Sequence, residues 1–393
     1  MTSGAILVVN SGSSSLKFAV IEPISAAVIA HGIAERLGAA DPTFQLGSNA
    51  ARALGRGAAH AEALKALLAE LKGIALAAVG HRVVHGGEAF SDSVLLDDQV
   101  VSQIRACAEL APLHNPANLL GIEAARRAFS ELPQVAVFDT AFHQTLPRAA
   151  YLYAIPYEYY ERHQVRRYGF HGTSHGYVAG VAARLLGKPL ESLQLITAHL
   201  GNGASVTAIA KGRSVDTSMG FTPLEGVVMG TRSGDVDPNL HEFLAKHAEL
   251  DLHAITEMLN KKSGLLGLSG VSNDMRTLLE LRAGGNDRAR LAIEVFCYRL
   301  AKSILGLCAG LSRVDALVFT GGIGEHAAAV RAQTLGHLRV LGAEVDDERN
   351  RVHGADHGGR ITRDSSALLS LVIRTNEELV IARETARLTG NSA

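Results

Sequence analysis

The sequence predicts an α/β fold, because apolar strand-like runs alternate with segments of helical periodicity. Two hairpin signals support this prediction, since residues 5–22 and 194–210 each contain two apolar β-rich runs joined by a glycine-containing turn. Four further strand-like runs lie at residues 76–79, 134–138, 315–319 and 369–373. Such alternation favours layered α/β packing over an all-α or all-β fold.

Two of the intervening segments are predicted to be helices. Residues 60–72 place leucines at i, i+3, i+4 and i+7, and Gly73 would end that helix. Residues 288–311 would form a second helix that ends near Gly310. The predicted buried faces consist of Leu64, Leu67, Leu68 and Leu71 in the first helix, and of Leu291, Val295, Tyr298 and Ile304 in the second.

The two hairpins indicate an internal duplication. Aligning Gly12 with Gly203 places them nearly half of the 393 residues apart, so each half would open on a glycine-turn hairpin. A chain of this length also exceeds what one hydrophobic core usually supports, which predicts two domains. The junction is expected between residues 140 and 160, where tyrosines and prolines cluster.

Composition excludes several classes of partner. The chain has 38 Lys and Arg residues against 39 Asp and Glu residues, so no global field attracts nucleic acid or an anionic membrane. Three cysteines without C-x-x-C spacing suit a reducing compartment. No run has the length of a signal peptide core or of a membrane span. We therefore expect a soluble cytoplasmic protein that binds anions only at a local site.

Three glycine-rich segments have the character of nucleotide-binding turns. Residues 10–17 form a strand-end turn lined with hydroxyls and followed by Lys17, although the Walker A pattern is absent and a simple hairpin turn is the alternative. Residues 199–203 have the same character. Residues 319–326 follow an apolar run and precede a helical stretch, which is a context that brings backbone N–H groups close to phosphates.

Charged residues at strand ends suggest binding of anions. Arg82 and Asp139 each follow an apolar strand, where ligand-facing residues gather in α/β sheets. Arg232 lies between glycines and could deliver a guanidinium to an anion, or the segment could be a solvated loop. His171 and His175 are four residues apart, but Gly172 and the missing H-E-x-x-H glutamate argue against zinc. A histidine that donates to a phosphoryl group fits better.

Ten segments, in order, resemble those of the acetokinase family of acetate and propionate kinases, within the superfamily of actin-like, sugar-kinase and chaperone ATPases. The segments are VVNSGSSSLKF, GHRVVHGGE, PLHNPANL, FDTAFHQTLP, RRYGFHGTSH, AHLGNGAS, MGTRSGDVDP, NDMR, GGIGEH and TNEELVIARE. The resemblance implies two duplicated actin-like ATPase (ribonuclease H-like) domains with an interdomain active-site cleft, and a homodimer. The N-terminal domain would comprise residues 1–145 plus about 377–393, and the C-terminal nucleotide-binding domain residues 146–376.

The same resemblance implies reversible, Mg²⁺-dependent in-line phosphoryl transfer from ATP to acetate, giving acetyl phosphate and ADP, with Mn²⁺ as a possible substitute. A propionate kinase or a broad short-chain acyl kinase is the alternative, because one methylene in an apolar pocket is worth only about 1–3 kcal/mol. A non-catalytic actin-like ATPase would not need Arg82, Asp139 and Arg232 together. A sugar kinase should have a polar sugar pocket instead of the apolar side chains implied below.

Residue roles follow from the matching motifs. The implied catalytic residues are Asp139, His171, Arg232 and Arg82. The carboxylic acid would contact Arg82, Val84, Leu113, Phe170 and Pro223, with His114 as a further site histidine. The nucleotide would contact Ser13, Ser15, Lys17, His199, Leu200, Gly201, Asn202, Gly203, Asp274, Met275, Arg276, Gly322, Ile323, Gly324, Glu325 and His326. Asn10 and Glu378 would lie near the metal.

One position departs from the family pattern. His326 stands where the family usually has asparagine at the end of the G-I-G-E-N segment. Both side chains are polar and can form hydrogen bonds. We therefore expect an altered contact with the nucleotide, which leaves the preference for its base open.

Overall fold

The computed structural model describes residues 4–111 and 114–391. The chain divides into two compact units, of which the first comprises Met1–Gln144 with Asn376–Ala393 and the second comprises Thr145–Thr375. The C-terminal segment thus belongs to the same unit as the N-terminus. Of the helices in the described ranges, none has both the length and the apolar character needed to cross a bilayer.

Strands form the centre of both units. The strands are β1 (Ala5–Ser11), β2 (Ser15–Ile21), β3 (Val28–Glu35), β4 (Thr43–Leu46), β5 (Arg52–Ala53), β6 (Leu76–Val83), β7 (Val94–Leu95), β8 (Gln134–Phe138), β9 (Gln194–Leu200), β10 (Ala204–Ala210), β11 (Arg213–Thr217), β12 (Ala316–Thr320) and β13 (Ser370–Val372). The predicted runs overlap these strands, so the predicted α/β class is confirmed.

Helices connect and cover the strands. The helices are α1 (His60–Glu70), α2 (Asp98–Ala106), α3 (Asn115–Ala128), α4 (Arg148–Tyr151), α5 (Glu158–His163), α6 (Gly172–Leu186), α7 (Leu240–His247), α8 (Leu252–Lys261), α9 (Gly264–Ser269), α10 (Met275–Ala283), α11 (Asp287–Leu307), α12 (Gly321–His326), α13 (Ala328–His337), α14 (Asp347–Arg351) and α15 (Glu377–Leu388).

The two sheets repeat one topology. In the first unit the strand order is β5-β4-β3-β2-β1-β6-β8-β7, and in the second it is β11-β10-β9-β12-β13. Each unit has an antiparallel meander, β1 to β3 or β9 to β11, whose first strand also pairs in parallel with β6 or β12. A further parallel strand, β8 or β13, completes each five-strand set. The predicted duplication is therefore confirmed.

The predicted alignment of the two hairpins is wrong by two residues. β1 ends at Ser11 and β9 ends at Leu200, so Gly12 corresponds to Gly201 and not to Gly203. The error arose because each turn offers several glycine or small polar residues. Register is fixed by the strand ends, and these depend on cross-strand pairing that a single sequence does not display.

Burial on both faces explains the apolar runs. Residues Ala5 to Val9 of β1 are all buried, as are those of β8 and β12, without the alternation of a half-exposed strand. Helix α15 covers the sheet of the first unit against β1, β6 and β8. Its close approach requires Gly80 of β6, because a Cβ atom there would lie 2.7 Å from Cγ2 of Ile381 and would overlap Thr385.

The predicted face of the second helix is wrong, although the helix itself is present as α11. Leu291 is 48% exposed and Tyr298 is 58% exposed. The buried stripe also runs through small residues that the prediction overlooked, and it consists of Ala289, Ala292, Ile293, Phe296, Cys297, Leu300, Ala301, Ile304 and Leu307. Small side chains mark this face because α9, α10 and α13 pack closely against it.

Candidate active site

The first unit carries a buried ion pair at the carboxyl ends of two neighbouring strands. Arg82 lies in β6 one residue before its end, and Asp139 directly follows β8, the parallel neighbour of β6. The guanidinium donates from Nε to Oδ1 of Asp139 at 3.0 Å and from Nη2 to Oδ2 at 2.6 Å. The Asp139 side chain is 2% exposed and that of Arg82 is 22% exposed. Two parallel hydrogen bonds fix the plane of the guanidinium.

Burial and mutual attraction compete at this pair. Burial opposes the charge of Arg82, but attraction to Asp139 and Glu377 outweighs it and raises the pKa of Arg82. Burial raises the pKa of Asp139, and the guanidinium acts against that rise. Because Asp139 holds the Nε–Nη2 edge of Arg82, any further anion at this arginine would meet its Nη1–Nη2 edge.

Two adjacent carboxylates begin helix α15. Oε2 of Glu377 lies 3.8 Å from Nε of Arg82. Burial raises the pKa of Glu378, while His31 and Lys17 counteract the rise. Sequence reasoning named Glu378 alone and missed Glu377, although both belong to the quoted TNEELV segment. Neighbouring helical residues point about 100° apart, so only the docked helix shows which one faces Arg82.

The first glycine turn lies in the same unit. Asn10 is opposite Lys17 in the β1–β2 register, and the Gly12 N–H donates to the Ser15 carbonyl at 2.8 Å. Ser13 and Lys17 are exposed, whereas Asn10 and Ser15 are partly buried. Hydroxyls and a lysine thus reach solvent beside a tight turn, which is the arrangement that the phosphate-binding prediction requires.

The segment after β6 is held by the first turns of α3. Asn118 Oδ1 accepts from the Val84 N–H at 3.0 Å, and its Nδ2 donates to the Ser11 carbonyl at 2.8 Å. Oδ1 of Asn115 accepts from the His85 N–H at 3.1 Å, and its Nδ2 donates to the His85 carbonyl at 2.9 Å. Sequence reasoning missed both asparagines, although the PLHNPANL segment contains them. His114 immediately precedes α3, and the predicted contact Leu113 lies outside the described residues.

In the second unit, a histidine and an arginine converge on the second glycine turn. A Cβ atom at Gly203 would lie 3.3 Å from Nε2 of His171 and 3.5 Å from Nη1 of Arg232. His171 has a left-handed backbone with a φ of 56°, which is uncommon outside glycine. Its ring stacks on that of His199 with the centroids 4.3 Å apart. The structure therefore brings together three predicted site residues, His171, His199 and Arg232, beside the Gly203 turn.

The predicted acyl contacts of the second unit differ in exposure. Nη1 of Arg232 donates to the Pro223 carbonyl at 2.9 Å, so this proline helps to orient the arginine. Pro223 is partly exposed, but Phe170 is only 1% exposed. Val84 belongs to the first unit, where its backbone is held as described above.

A cavity of about 600 Å³ lies in the second unit, which falls within the usual size range of small-molecule sites. Eight predicted nucleotide residues line it, and Asn273, Leu279 and Ala327 were not predicted. The predicted members are Gly201, Asn202, Asp274, Met275, Arg276, Gly322, Ile323 and His326. Asp274 caps α10, and its hydrogen bond from Arg276 lowers the pKa of Asp274.

Five predicted nucleotide residues of the second unit do not line this cavity. Leu200 and Gly324 are buried, and His199 and Gly203 face His171. Oε1 of Glu325 accepts hydrogen bonds from the N–H groups of Gly321 and Thr375, each at 3.1 Å, which holds the loop.

Buried Arg331 supports the cavity wall, and sequence reasoning missed it. Its Nη1 donates to the carbonyls of Gly324 and Glu325 at 2.9 Å, at the end of α12. Its other nitrogens contact Asn350 and His353, and the His353 ring meets that of His326 edge-on. Burial lowers the pKa of Arg331 to about 10. A lone arginine within an apolar helix face carries no sequence pattern that identifies this role.

Fold and sites together define an enzyme of the phosphotransferase class, built from two related α/β units. Strand-end turns, a nucleotide-sized cavity and converging arginine and histidine side chains are the parts that phosphoryl transfer uses.

Comparison with known proteins identifies the family. The Acetokinase family model matches residues 5–383. Acetate kinases of Deinococcus radiodurans and Chromobacterium violaceum are 57% and 52% identical, each aligned over 98% of both chains. Among solved structures, a Francisella tularensis propionate kinase is 46% identical with a TM-score of 0.93, covering 98% of this chain and 100% of that one. The acetate kinase of Porphyromonas gingivalis is 41% identical with a TM-score of 0.91, covering 98% and 99%.

The chain belongs to the acetokinase family. The resemblance drawn from ten sequence segments is therefore confirmed, and so is the expectation of a phosphotransferase.

Substituting Gly203 by alanine should lower turnover strongly without unfolding the protein. Gly203 does not have a positive φ, so alanine is compatible with the backbone, but its methyl group would occupy the space between His171 and Arg232. We expect kcat/KM to fall up to about 100-fold, because a misplacement of about 1 Å can cost that much in rate. Gly306→Ala is the control, since nothing lies within 4 Å of its Cβ position. Gly203→Ala activity equal to that of the control would show that this space is not used.

Proposed function

We propose that this enzyme catalyses the reversible transfer of the γ-phosphoryl group of ATP to acetate, giving acetyl phosphate and ADP. The observation that carries the proposal is the set of oriented arginine and histidine side chains at the strand ends and the second glycine turn. Arg82 is fixed by Asp139, and His171 and Arg232 converge over Gly203. Relatives that are 57% and 52% identical bear the name acetate kinase, which supports the choice of acid.

The chemistry needs charge compensation more than it needs a base. Acetate is already ionised at neutral pH, so its carboxylate can attack without losing a proton. The difficulty is the approach of this anion to an anionic phosphoryl group. Arg82 would bind the carboxylate through its Nη1–Nη2 edge, and Arg232 and His171 would stabilise charge on the equatorial oxygens of the transferring group. Asp139 would act by orienting Arg82.

The metal would be Mg²⁺, with Mn²⁺ as a substitute, held by Asn10 and by the carboxylates that begin α15. No cluster of three His, Cys, Asp or Glu residues suited to a metal exists within residues 4–111 and 114–391. A few oxygen donors nevertheless fit Mg²⁺, which retains waters and binds one or two carboxylates together with substrate phosphates. Lys17 lies opposite Asn10 in the β1–β2 register, and its charge acts to lower the pKa of Glu378. Asn10 and Glu378 therefore both lie near this lysine. When bound, the ion neutralises charge on the β- and γ-phosphates.

Propionate is the second candidate acid. The Francisella tularensis protein, 46% identical to this chain, bears the name propionate kinase. One methylene is worth about 1–3 kcal/mol in an apolar pocket, so preference between these acids would be graded. Arg82, Asp139 and Arg232 disfavour a non-catalytic ATPase, which has no carboxylate to bind.

We further propose the domain bounds, assembly and location that the resemblance implies. The N-terminal domain would be residues 1–145 plus about 377–393, and the C-terminal domain residues 146–376. A homodimer in the cytoplasm follows from the same resemblance, and three cysteines without disulfide spacing suit that compartment.

Trapping of acyl phosphates by hydroxylamine tests the proposed reaction. The enzyme is incubated with ATP, Mg²⁺ and acetate, propionate or butyrate in parallel, and acyl hydroxamate is measured. We expect product from acetate with the highest kcat/KM, a smaller value for propionate and the smallest for butyrate. Formation of no hydroxamate from any acid would contradict the proposal, and a higher kcat/KM for propionate would assign the enzyme to the second candidate.

Magnesium titrations distinguish the two adjacent glutamates. We expect Glu378→Gln to raise the Mg²⁺ concentration for half-maximal rate about 10-fold or more, because Lys17 lies near both Glu378 and Asn10. Glu377→Gln removes the neighbouring carboxylate, which pairs with Arg82 instead, and should change that concentration less. A larger effect of Glu377→Gln would contradict the assignment of Glu378 to the metal.

A further inference from the structure

A chain of buried hydrogen bonds leads from His171 into the sheet of the second unit. Nδ1 of His171 lies 2.8 Å from Oγ of Ser205, which lies 2.8 Å from Nε2 of His175. Nδ1 of His175 lies 2.7 Å from Oγ1 of Thr197, and that hydroxyl donates to the Thr207 carbonyl at 3.5 Å. Ser205, His175 and Thr197 are fully buried. The chain therefore joins α6 to β9 and β10 beneath the predicted phosphoryl site.

The direction of this chain depends on which group receives the hydroxyl proton of Thr197. Ser205 has one hydroxyl proton and contacts two imidazole nitrogens, so it donates to one and accepts from the other. If Thr197 donates to the Thr207 carbonyl, His175 carries its proton on Nδ1 and accepts from Ser205 on Nε2. Ser205 then accepts from Nδ1–H of His171. In the reverse direction, Thr197 would donate its hydroxyl proton to Nδ1 of His175 and could not donate it to the Thr207 carbonyl.

This direction decides what His171 can offer to a ligand. With a proton held at Nδ1, neutral His171 has only a lone pair on Nε2, the atom that lies near Gly203. A lone pair repels a phosphoryl oxygen. A favourable contact then requires a second proton on Nε2, which makes the ring a cation and a charge-assisted donor.

We propose that Ser205 and His175 are positioning residues that keep a proton on Nδ1 of His171, so that His171 meets the transferring phosphoryl group as an imidazolium. The inference rests on the proposed function and adds the protonation state of one residue to it. The Nε2 proton is taken from solvent when the nucleotide binds, stays on nitrogen during transfer and returns to solvent when products leave. No covalent bond to His171 forms.

The surroundings of His171 make this proton depend on the ligand. Within the described contacts, the titratable or charged groups near His171 are His175 on its own helix, His199 on β9 and Arg232 on the adjoining loop. The His199 ring is held by Ser174, which contacts its Nδ1 at 2.8 Å. Arg232 disfavours a second cation nearby, and an anionic phosphoryl group between the two favours it. Charge on His171 would therefore increase when the nucleotide is bound.

Kinetics of Ser205→Ala test the inference. The variant removes the acceptor that stabilises the imidazolium, so the pKa of His171 in the bound enzyme should fall. Activity that needs the cation is lost as the pH rises through this pKa, so the alkaline fall in kcat should begin at lower pH. We expect kcat at neutral pH to decrease about 10- to 100-fold while KM for ATP changes less than threefold. Ser205→Thr, which keeps the hydroxyl, should restore most of the rate.

Ser370→Ala is the matched control. Ser370 is a fully buried serine of β13 in the same sheet, and its hydroxyl oxygen has no hydrogen-bond partner among the described residues. It should keep the kcat and the pH profile of the parent enzyme. A Ser205→Ala enzyme that matches this control in both respects would overturn the inference.

NMR of the unmodified enzyme tests the same point without turnover. Histidine labelled with ¹³C gives a Cδ2 chemical shift that distinguishes the two neutral tautomers, and His171→Gln identifies the His171 signal. We expect the Nδ1–H form in free enzyme above the pKa of His171, and a shift toward Nε2–H in Ser205→Ala. An Nε2–H form in the unmodified enzyme would overturn the inference even if acyl phosphate is made. Absence of acyl phosphate with an Nδ1–H signal would contradict the proposed function instead.

Discussion

The bidentate pair between Arg82 and Asp139 is the interaction on which the first unit's site depends. Parallel pairing of β6 with β8 places Val83 opposite Phe138, so the following Asp139 and the preceding Arg82 meet at one edge of the sheet. Removal of one partner from a buried pair costs about 3–5 kcal/mol, because the other charge is left without compensation. This pair therefore requires both residues, and it sets the direction in which Arg82 presents its remaining edge.

The same constraint operates in the second unit with different residues. β9 and β12 are parallel neighbours whose carboxyl ends lead into the Gly201–Gly203 turn and into α12. His171 and Arg232 lie beside the Gly201–Gly203 turn, and Arg331 donates hydrogen bonds to carbonyls at the end of α12. Duplication thus provides two similar sheet edges, and the side chains at each edge determine what it binds.

Much of this organisation could be predicted from the sequence. Continuous apolar strands, glycine turns and polar residues at strand ends are local patterns, so the α/β class and the duplication were accessible. The resemblance to the acetokinase family supplied the grouping of His171, His199 and Arg232 and the roles of the site residues, which local patterns do not contain. Arg82 and Asp139 were found separately as strand-end residues, but their direct hydrogen bonds depend on strand pairing.

What could not be predicted depends on contacts distant in sequence. Glu377 and Glu378 are chemically identical, and only the docking of α15 shows which one approaches Arg82. Arg331, Asn118 and Ser205 act through partners on other elements. The buried face of α11 was misassigned because the prediction weighted large apolar residues, whereas small ones mark the closely packed side.

The most direct test of the account is the acetate dependence of Asp139→Asn at saturating Mg²⁺. Asparagine keeps the size of the side chain and removes the charge that orients Arg82. We predict that KM for acetate rises and kcat/KM falls about 100-fold, the scale of one lost electrostatic contact. Asp92→Asn, which removes a carboxylate 68% exposed and paired with Arg387 in the same unit, should behave like the parent enzyme. Near-normal KM and turnover in Asp139→Asn would contradict the claim that this pair organises carboxylate phosphorylation.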